Sequence, residues 1–156
     1  VLLGGEIGLL VERLLAGQLD HLEHVRLAGE TRINCTILEK SPRVQYELDG
    51  SGPEVPPEAL RAVTDRLLAA AQGGFAVLTG SLPAGVPTEI YGDLVQALRQ
   101  RQARTAVDTR GAMLNHALTY HPFLIKPNRY ELELHCGHKL PTMDVVLAEA
   151  RRIQEE

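Results

Sequence analysis

An α/β fold built on a parallel sheet is what this sequence predicts, and three observations predict it. Short apolar runs without alternation recur at 75–79, 105–108 and 123–126, as expected of strands covered on both faces. Amphipathic helical stretches separate them, giving the βαβα order of right-handed crossover units. Each run then ends in glycine or polar residues suited to holding a ligand, and in open α/β sheets ligands bind at the carboxyl ends of the strands.

Taken in order, Val1-Leu2-Leu3-Gly4-Gly5 is a short strand entering a glycine turn. With no initiator Met, it reads as the continuation of a longer chain. Ile7, Leu10, Val11, Leu14 and Leu15 form one helical stripe, stopped by Gly17. From Val25 to Asp49 the apolar period changes to two. Ile33, Cys35 and Ile37 alternate with Arg32, Asn34 and Thr36, and after Ser41-Pro42, Val44, Tyr46 and Leu48 alternate with Gln45 and Glu47. This is an amphipathic β-hairpin inserted between α/β units. A lone two-stranded ribbon is marginal, so its apolar face is expected to pack on the core or on another subunit.

Pro56-Pro57 open a second helix, with Leu60, Val63, Leu67 and Ala71 on one face and Gly73-Gly74 ending it. Pro87-Thr88 open a third, carrying Ile90, Tyr91, Leu94 and Leu98. A short helix is expected near Met113–Leu118, and Thr142 caps a last one with Val146, Leu147, Ala150 and Ile153. At 124–131 an apolar run stops at Lys126, and Pro127 keeps that lysine extended. Asn128 and Glu131, three apart, then have the spacing of a capping box. The segment reads as strand, sharp turn and helix start.

Composition narrows the function classes. The 156 residues carry 16 Lys and Arg against 20 Asp and Glu, a net charge of −4, which argues against a broad nucleic-acid binder. No apolar run approaches the length of a membrane span. Cys35 and Cys136 suggest no disulfide framework, and a reducing, cytoplasmic setting is expected. His135-Cys136-Gly137-His138 offers three metal ligands but no distant matching pair, so it is not read as a metal site.

The predicted strand ends are Gly80-Ser81-Leu82-Pro83, Asp108-Thr109-Arg110-Gly111 and Lys126-Pro127-Asn128-Arg129-Tyr130-Glu131. Parallel neighbours would bring them to one edge. Glycine N–H groups at helix N-termini suit phosphate, carboxylates beside them suit Mg²⁺, and a lysine supplies positive charge to a transferring phosphoryl group. Taken singly, each has a bland reading: a helix cap for Asn128 and Glu131, an Asx-turn for Asp108, a plain turn for Gly80-Ser81, a solvated hairpin face for Arg32 and Asn34. Together they fit phosphoryl transfer better than hydride or acyl transfer. Neither a Walker A motif nor a dinucleotide fingerprint is present.

In order and approximate spacing, Gly29-Glu30-Thr31-Arg32-Ile33-Asn34, Gly80-Ser81-Leu82-Pro83-Ala84-Gly85-Val86, Val107-Asp108-Thr109-Arg110-Gly111 and Ile125-Lys126-Pro127-Asn128-Arg129-Tyr130-Glu131-Leu132 resemble the ribokinase-like (PfkB) carbohydrate kinase family. Within it they resemble the 1-phosphofructokinase and tagatose-6-phosphate kinase branch. The resemblance implies a three-layer αβα core, incomplete at both ends, over residues 1–24 and 50–156, with 25–49 as a β lid that often forms a dimer contact. It implies ATP and Mg²⁺ as cofactors and a ketohexose phosphate as substrate, most directly fructose 1-phosphate. Arg32, Asn34, Gly80 and Ser81 would contact the sugar phosphate. Lys126, Asn128 and Glu131 would lie at the ATP phosphates, and Asp108, Asn128 and Glu131 would hold the metal and its waters. The family's N-terminal Gly-Gly-Lys-Gly-like turn and its C-terminal Gly-Ala-Gly-Asp, which supplies the catalytic base and the anion hole, are not found here; Tyr91-Gly92-Asp93 falls inside a helix. The segment is accordingly expected to be inactive alone. The alternative reading is a sugar-phosphate or nucleotide-binding module without catalysis.

Overall fold

The computed structural model describes residues 1–155. They divide into two compact units, 1–67 with 82–86 and 68–81 with 87–155, the division falling within helix α2 (Pro57–Ala70).

In the first unit, β1 (Leu2–Gly4) runs directly into α1 (Gly5–Ala16) and pairs in parallel with β2 (Val25–Leu27), Leu3 opposite Arg26. Gly5 has φ +61°, a conformation open to glycine at little cost. A Cβ on Gly4 would collide with the carbonyl oxygens of Leu27 and Gly29. The turn at 4–5 is therefore tight on both sides. Helix α1 buries Gly8, while Leu10 and Leu14, expected on its inner stripe, are 51% and 58% exposed. The helix meets β1 through its small residue, which turns that edge of the stripe outward.

The ribbon follows as β3 (Asn34–Lys40) and β4 (Arg43–Asp49), antiparallel with Ile37 opposite Tyr46 and Cys35 opposite Leu48. Its start differs from expectation. Residues 25–27 pair with β1 instead of joining the ribbon, because three residues are too few to display an alternation and the partner strand is non-local. The period-two face is as read: Cys35, Ile37, Val44, Tyr46 and Leu48 share one side by register. Yet Ile37, Tyr46 and Leu48 are about half exposed, so among the described residues that face is not covered.

The second unit holds a parallel sheet in the order β5 (Phe75–Thr79), β6 (Arg104–Asp108), β7 (Leu124–Ile125). Helices α3 (Ile90–Gln100) and α4 (Gly111–Leu118) cover one face. Val95, Leu98, Val107, Leu114 and Ala117 are all but fully buried there, each larger side chain contributing about 1.5–3 kcal/mol. Gly92 lets the two helices close up, since a Cβ there would strike the His116 ring.

The expectation of strands covered on both faces is corrected here. Ala76 and Leu78 are buried, but Phe75 and Val77 on the opposite face are 66% and 67% exposed. Unbroken apolar runs record what each strand is suited to, and the described residues cover one side of it. Helix α5 (Arg129–Cys136) starts at Asn128 as expected, and α6 (Met143–Glu155) follows Thr142, whose Oγ1 accepts from the Val145 N–H at 3.4 Å.

Candidate active-site edge

Parallel register carries the ends of β5, β6 and β7 to one edge of the second unit. Thr79 stands opposite Asp108, and Val107 opposite Ile125. Beyond the strands the ladder continues for one step each: the Gly80 N–H donates to the Asp108 carbonyl at 3.0 Å, and the Lys126 N–H to the Val107 carbonyl at 3.1 Å. These bonds fix where the three motifs leave the sheet. Gly80 has φ +99°, so the chain turns there as only glycine does readily, and Ser81 follows at the rim.

Across that rim Lys126 Nζ lies 3.1 Å from Asp108 Oδ2. The lysine is 70% exposed and the aspartate 34%, so the pair contributes little to stability. A cation and an anion are thus held side by side at an accessible edge. Proline 127 then breaks the strand, and Asn128 in extended conformation caps α5. Asn128 Oδ1 accepts from the Glu131 N–H at 2.9 Å, and Glu131 Oε2 accepts from the Asn128 N–H at 2.8 Å. The capping box read from sequence is complete. It engages one oxygen of each side chain, and a carboxylate has about four lone-pair sites. The cap therefore does not consume the capacity of Glu131 to order a hydrated cation.

Two residues that the sequence pattern assigned to no role position this edge. The Thr109 hydroxyl, 5% exposed, donates to the Gly80 carbonyl at 3.2 Å. The Tyr91 hydroxyl lies 3.0 Å from the carbonyls of both Thr79 and Gly80. A hydroxyl aimed at a carbonyl from another element leaves no periodic trace. The only available hint was a Tyr on a helical face otherwise made of Ile and Leu, because buried Tyr O–H groups need a partner.

Arg32 and Asn34 belong to the first unit, at the root of the ribbon. Asn34 Oδ1 accepts from the Gly50 N–H at 3.2 Å, closing the ribbon where it returns to the core. The Arg32 side chain packs along Gly52, with a closest approach of 3.3 Å to a Cβ built there. The root itself is clasped to α1. Thr31 Oγ1 accepts from the Gly4 N–H at 2.9 Å, and the Glu30 carboxylate accepts from the N–H groups of Glu6 and Ile7, each at 3.1 Å. Gly4 provides α1 with no side-chain cap, so Glu30 caps it from the far side of β2. No local pattern could have revealed that. Of the expected site residues, the structure brings Gly80, Ser81, Asp108, Lys126, Asn128 and Glu131 together in one unit, and Arg32 with Asn34 in the other.

The sheet edge thus carries a lysine–aspartate pair beside an Asn-x-x-Glu cap, in a chain whose two-stranded ribbon precedes that sheet in sequence. The profile of the pfkB family carbohydrate kinases matches residues 18–156, and the chain belongs to that family.

Among individual relatives, it is 38% identical over 129 residues to the 1-phosphofructokinase of Escherichia coli (strain K12), covering 82% of this chain and 41% of that protein. It is 33% identical over 132 residues to the 1-phosphofructokinase of Haemophilus influenzae, covering 84% and 42% respectively. A crystal structure of phosphofructokinase-2 from Escherichia coli in complex with substrates and products superposes with a TM-score of 0.86 at 29% identity, over 97% of this chain and 50% of that one. The chain thus spans less than half the length of these curated relatives and half of the solved structure. Its ribokinase-like α/β fold is shared with them. No helix among the described residues is long and apolar enough to cross a membrane.

Proposed function

We propose that this chain forms part of an ATP- and Mg²⁺-dependent sugar-phosphate kinase. The whole protein transfers the γ-phosphoryl of ATP to a hydroxyl of a ketohexose phosphate, fructose 1-phosphate giving the 1,6-bisphosphate. The observation that carries this is the Lys126–Asp108 pair, 3.1 Å apart on the rim where Asn128 and Glu131 begin α5. Relatives named 1-phosphofructokinase support the choice of substrate.

Phosphoryl transfer asks a protein chiefly for positioning and charge neutralisation. Lys126 is the catalytic cation, giving up its ion pair with Asp108 for the oxygens of the transferring group. The oxygen-rich set of Asp108, Asn128 and Glu131 suits a hard ion that keeps several waters. Mg²⁺ held there supplies charge neutralisation to the nucleotide phosphates. Arg32 holds the sugar's own phosphate through two parallel N–H bonds, a geometry a guanidinium offers and an ammonium does not. Asn34, Gly80 and Ser81 orient the sugar, and the ribbon acts as a lid. Its half-exposed Ile37, Tyr46 and Leu48 favour a homodimer formed through that face. Two free thiols favour a cytoplasmic protein.

A coupled ADP-release assay on the full-length protein tests the reading. Turnover on fructose 1-phosphate that requires Mg²⁺ is expected. No turnover on any ketohexose phosphate sinks it, and calorimetric sugar-phosphate binding without ADP release would instead favour a non-catalytic binding module.

A further inference from the structure

At the end of α5 away from Asn128, about 12 Å along an eight-residue helix, a second cluster of donors stands outside the candidate active-site edge. Gly137, at φ +75°, ends α5 and turns the chain so that Cys136 and His138 both face Glu149 on α6. Cys136 Sγ lies 3.6 Å from Glu149 Oε2, and His138 Nε2 lies 3.5 Å from Glu149 Oε1. One ligand atom from each of the three lies within 4.8 Å of the others. His135 is not among them, since its Nδ1 meets Asn115 Oδ1 at 2.7 Å.

We propose that Cys136, His138 and Glu149 form a Zn²⁺ site with a water as fourth ligand. Zinc binds thiolate sulfur at about 2.3 Å and imidazole or carboxylate at about 2.0–2.2 Å, so ligand atoms of a tetrahedral site sit about 3.3–3.6 Å apart. Cys136 Sγ and His138 Nε2 each already have that separation from an oxygen of Glu149, but from different oxygens, so the carboxylate turns to bring one of them to the ion. The imidazole is also oriented to bind a metal, because His138 Nδ1 lies 3.2 Å from the Lys139 carbonyl. With its proton on Nδ1 the ring presents the Nε2 lone pair, the arrangement typical of metal-bound histidine. On binding, the Cys136 S–H bond breaks, its proton passes to solvent and a Zn–S bond forms. Thiolate and carboxylate together then balance the ion's charge. Arg152 Nε, 2.8 Å from Glu149 Oε2, competes with the cation for that carboxylate.

The site has a structural purpose. Helix α6 buries none of its residues fully, and a metal joining it to the α5 terminus supplies an anchor that the core does not.

Titration with Zn²⁺ and, in parallel, Co²⁺ tests this on the whole chain in the presence of excess Mg²⁺, which does not compete for a thiolate. One Zn²⁺ per chain is expected, with a rise in melting temperature. Co²⁺ should give thiolate charge-transfer absorption and the visible bands of a tetrahedral ion. Cys136→Ser should abolish the charge-transfer band, and His138→Ala should weaken Zn²⁺ binding by more than the ~10–100-fold typical of losing an outer-shell partner. Cys35→Ser should change neither, and Arg152→Gln should tighten binding. Far-UV circular dichroism in chelator establishes that each variant is folded. Equal affinity in Cys136→Ser, a charge-transfer band lost with Cys35 instead, or no binding by the wild-type chain overturns the site. None of these readouts depends on kinase activity.

Discussion

At the carboxyl edge of β5, β6 and β7, backbone and side-chain bonds within one unit hold Gly80, Asp108 and Lys126 in place. On the ribbon, the other unit sets Ile37, Tyr46 and Leu48 in register along one face and leaves them half exposed. The polar groups of the first are bonded within their own unit, while the second has its shape fixed and its apolar face half exposed. Changes at the edge should therefore register in chemistry where the side chain is exposed, as at Lys126, and in folding where it is buried, as at Thr109. Changes on the ribbon face should register in association and leave folding alone.

The strongest test of the proposed activity is Lys126→Ala in the full-length protein. On the role proposed for Lys126, kcat is expected to fall ~10²–10³-fold, with sugar KM nearly unchanged and, because the Asp108 pair is exposed, little loss of thermal stability. Arg32→Ala should behave oppositely. Removing a charge-assisted contact worth about 1.5–3 kcal/mol should raise the sugar-phosphate KM by roughly 10–100-fold at similar kcat. A kcat-limited Arg32→Ala would contradict the division of roles.

Thr109→Val, which keeps the side chain's shape and removes its bond to Gly80, should lower stability by about 1 kcal/mol in urea titration. Leu48→Ser on the ribbon should shift the same titration by no more than about 0.5 kcal/mol. By sedimentation it should weaken self-association, and an unchanged sedimentation profile would separate the ribbon from any dimer.

The smallest effect concerns pH. The Lys139 ammonium, and after it the Leu140 N–H, hold the Glu133 carboxyl below its ordinary value of 4.5. A depressed folded-state pKa stabilises above the unfolded value and loses that contribution as pH falls through the folded one. Glu133→Gln should thus melt earlier than wild type at neutral pH, and the gap should close on acidification below the folded pKa.

What could be read from sequence was local. The β5, β6 and β7 runs, the period-two ribbon and the Asn128–Glu131 box each fit within a window of a few residues, and each is present in the structure. What escaped reading was non-local or orientational. Pairing of β2 with β1 depends on a strand more than twenty residues away, and one-sided covering of β5 depends on which helices arrive. Thr109 and Tyr91 act through hydroxyls aimed at a carbonyl that no spacing rule records. His135-Cys136-Gly137-His138 had no visible partner until α6 brought Glu149 alongside. For the candidate edge, the order in which Ser81, Asp108 and Lys126 leave their strands was readable, whereas the contact joining Lys126 to Asp108 became visible only through register.

The clasp of Glu30 on the first turn of α1 couples two segments that a sequence map would treat as independent. The amide protons of Glu6 and Ile7 are shielded by a carboxylate from the ribbon's root, so their exchange with deuterated solvent follows opening of that root as well as fraying of the helix. Two backbone positions in the first turn of α1 thereby become a built-in gauge of how firmly the ribbon is rooted.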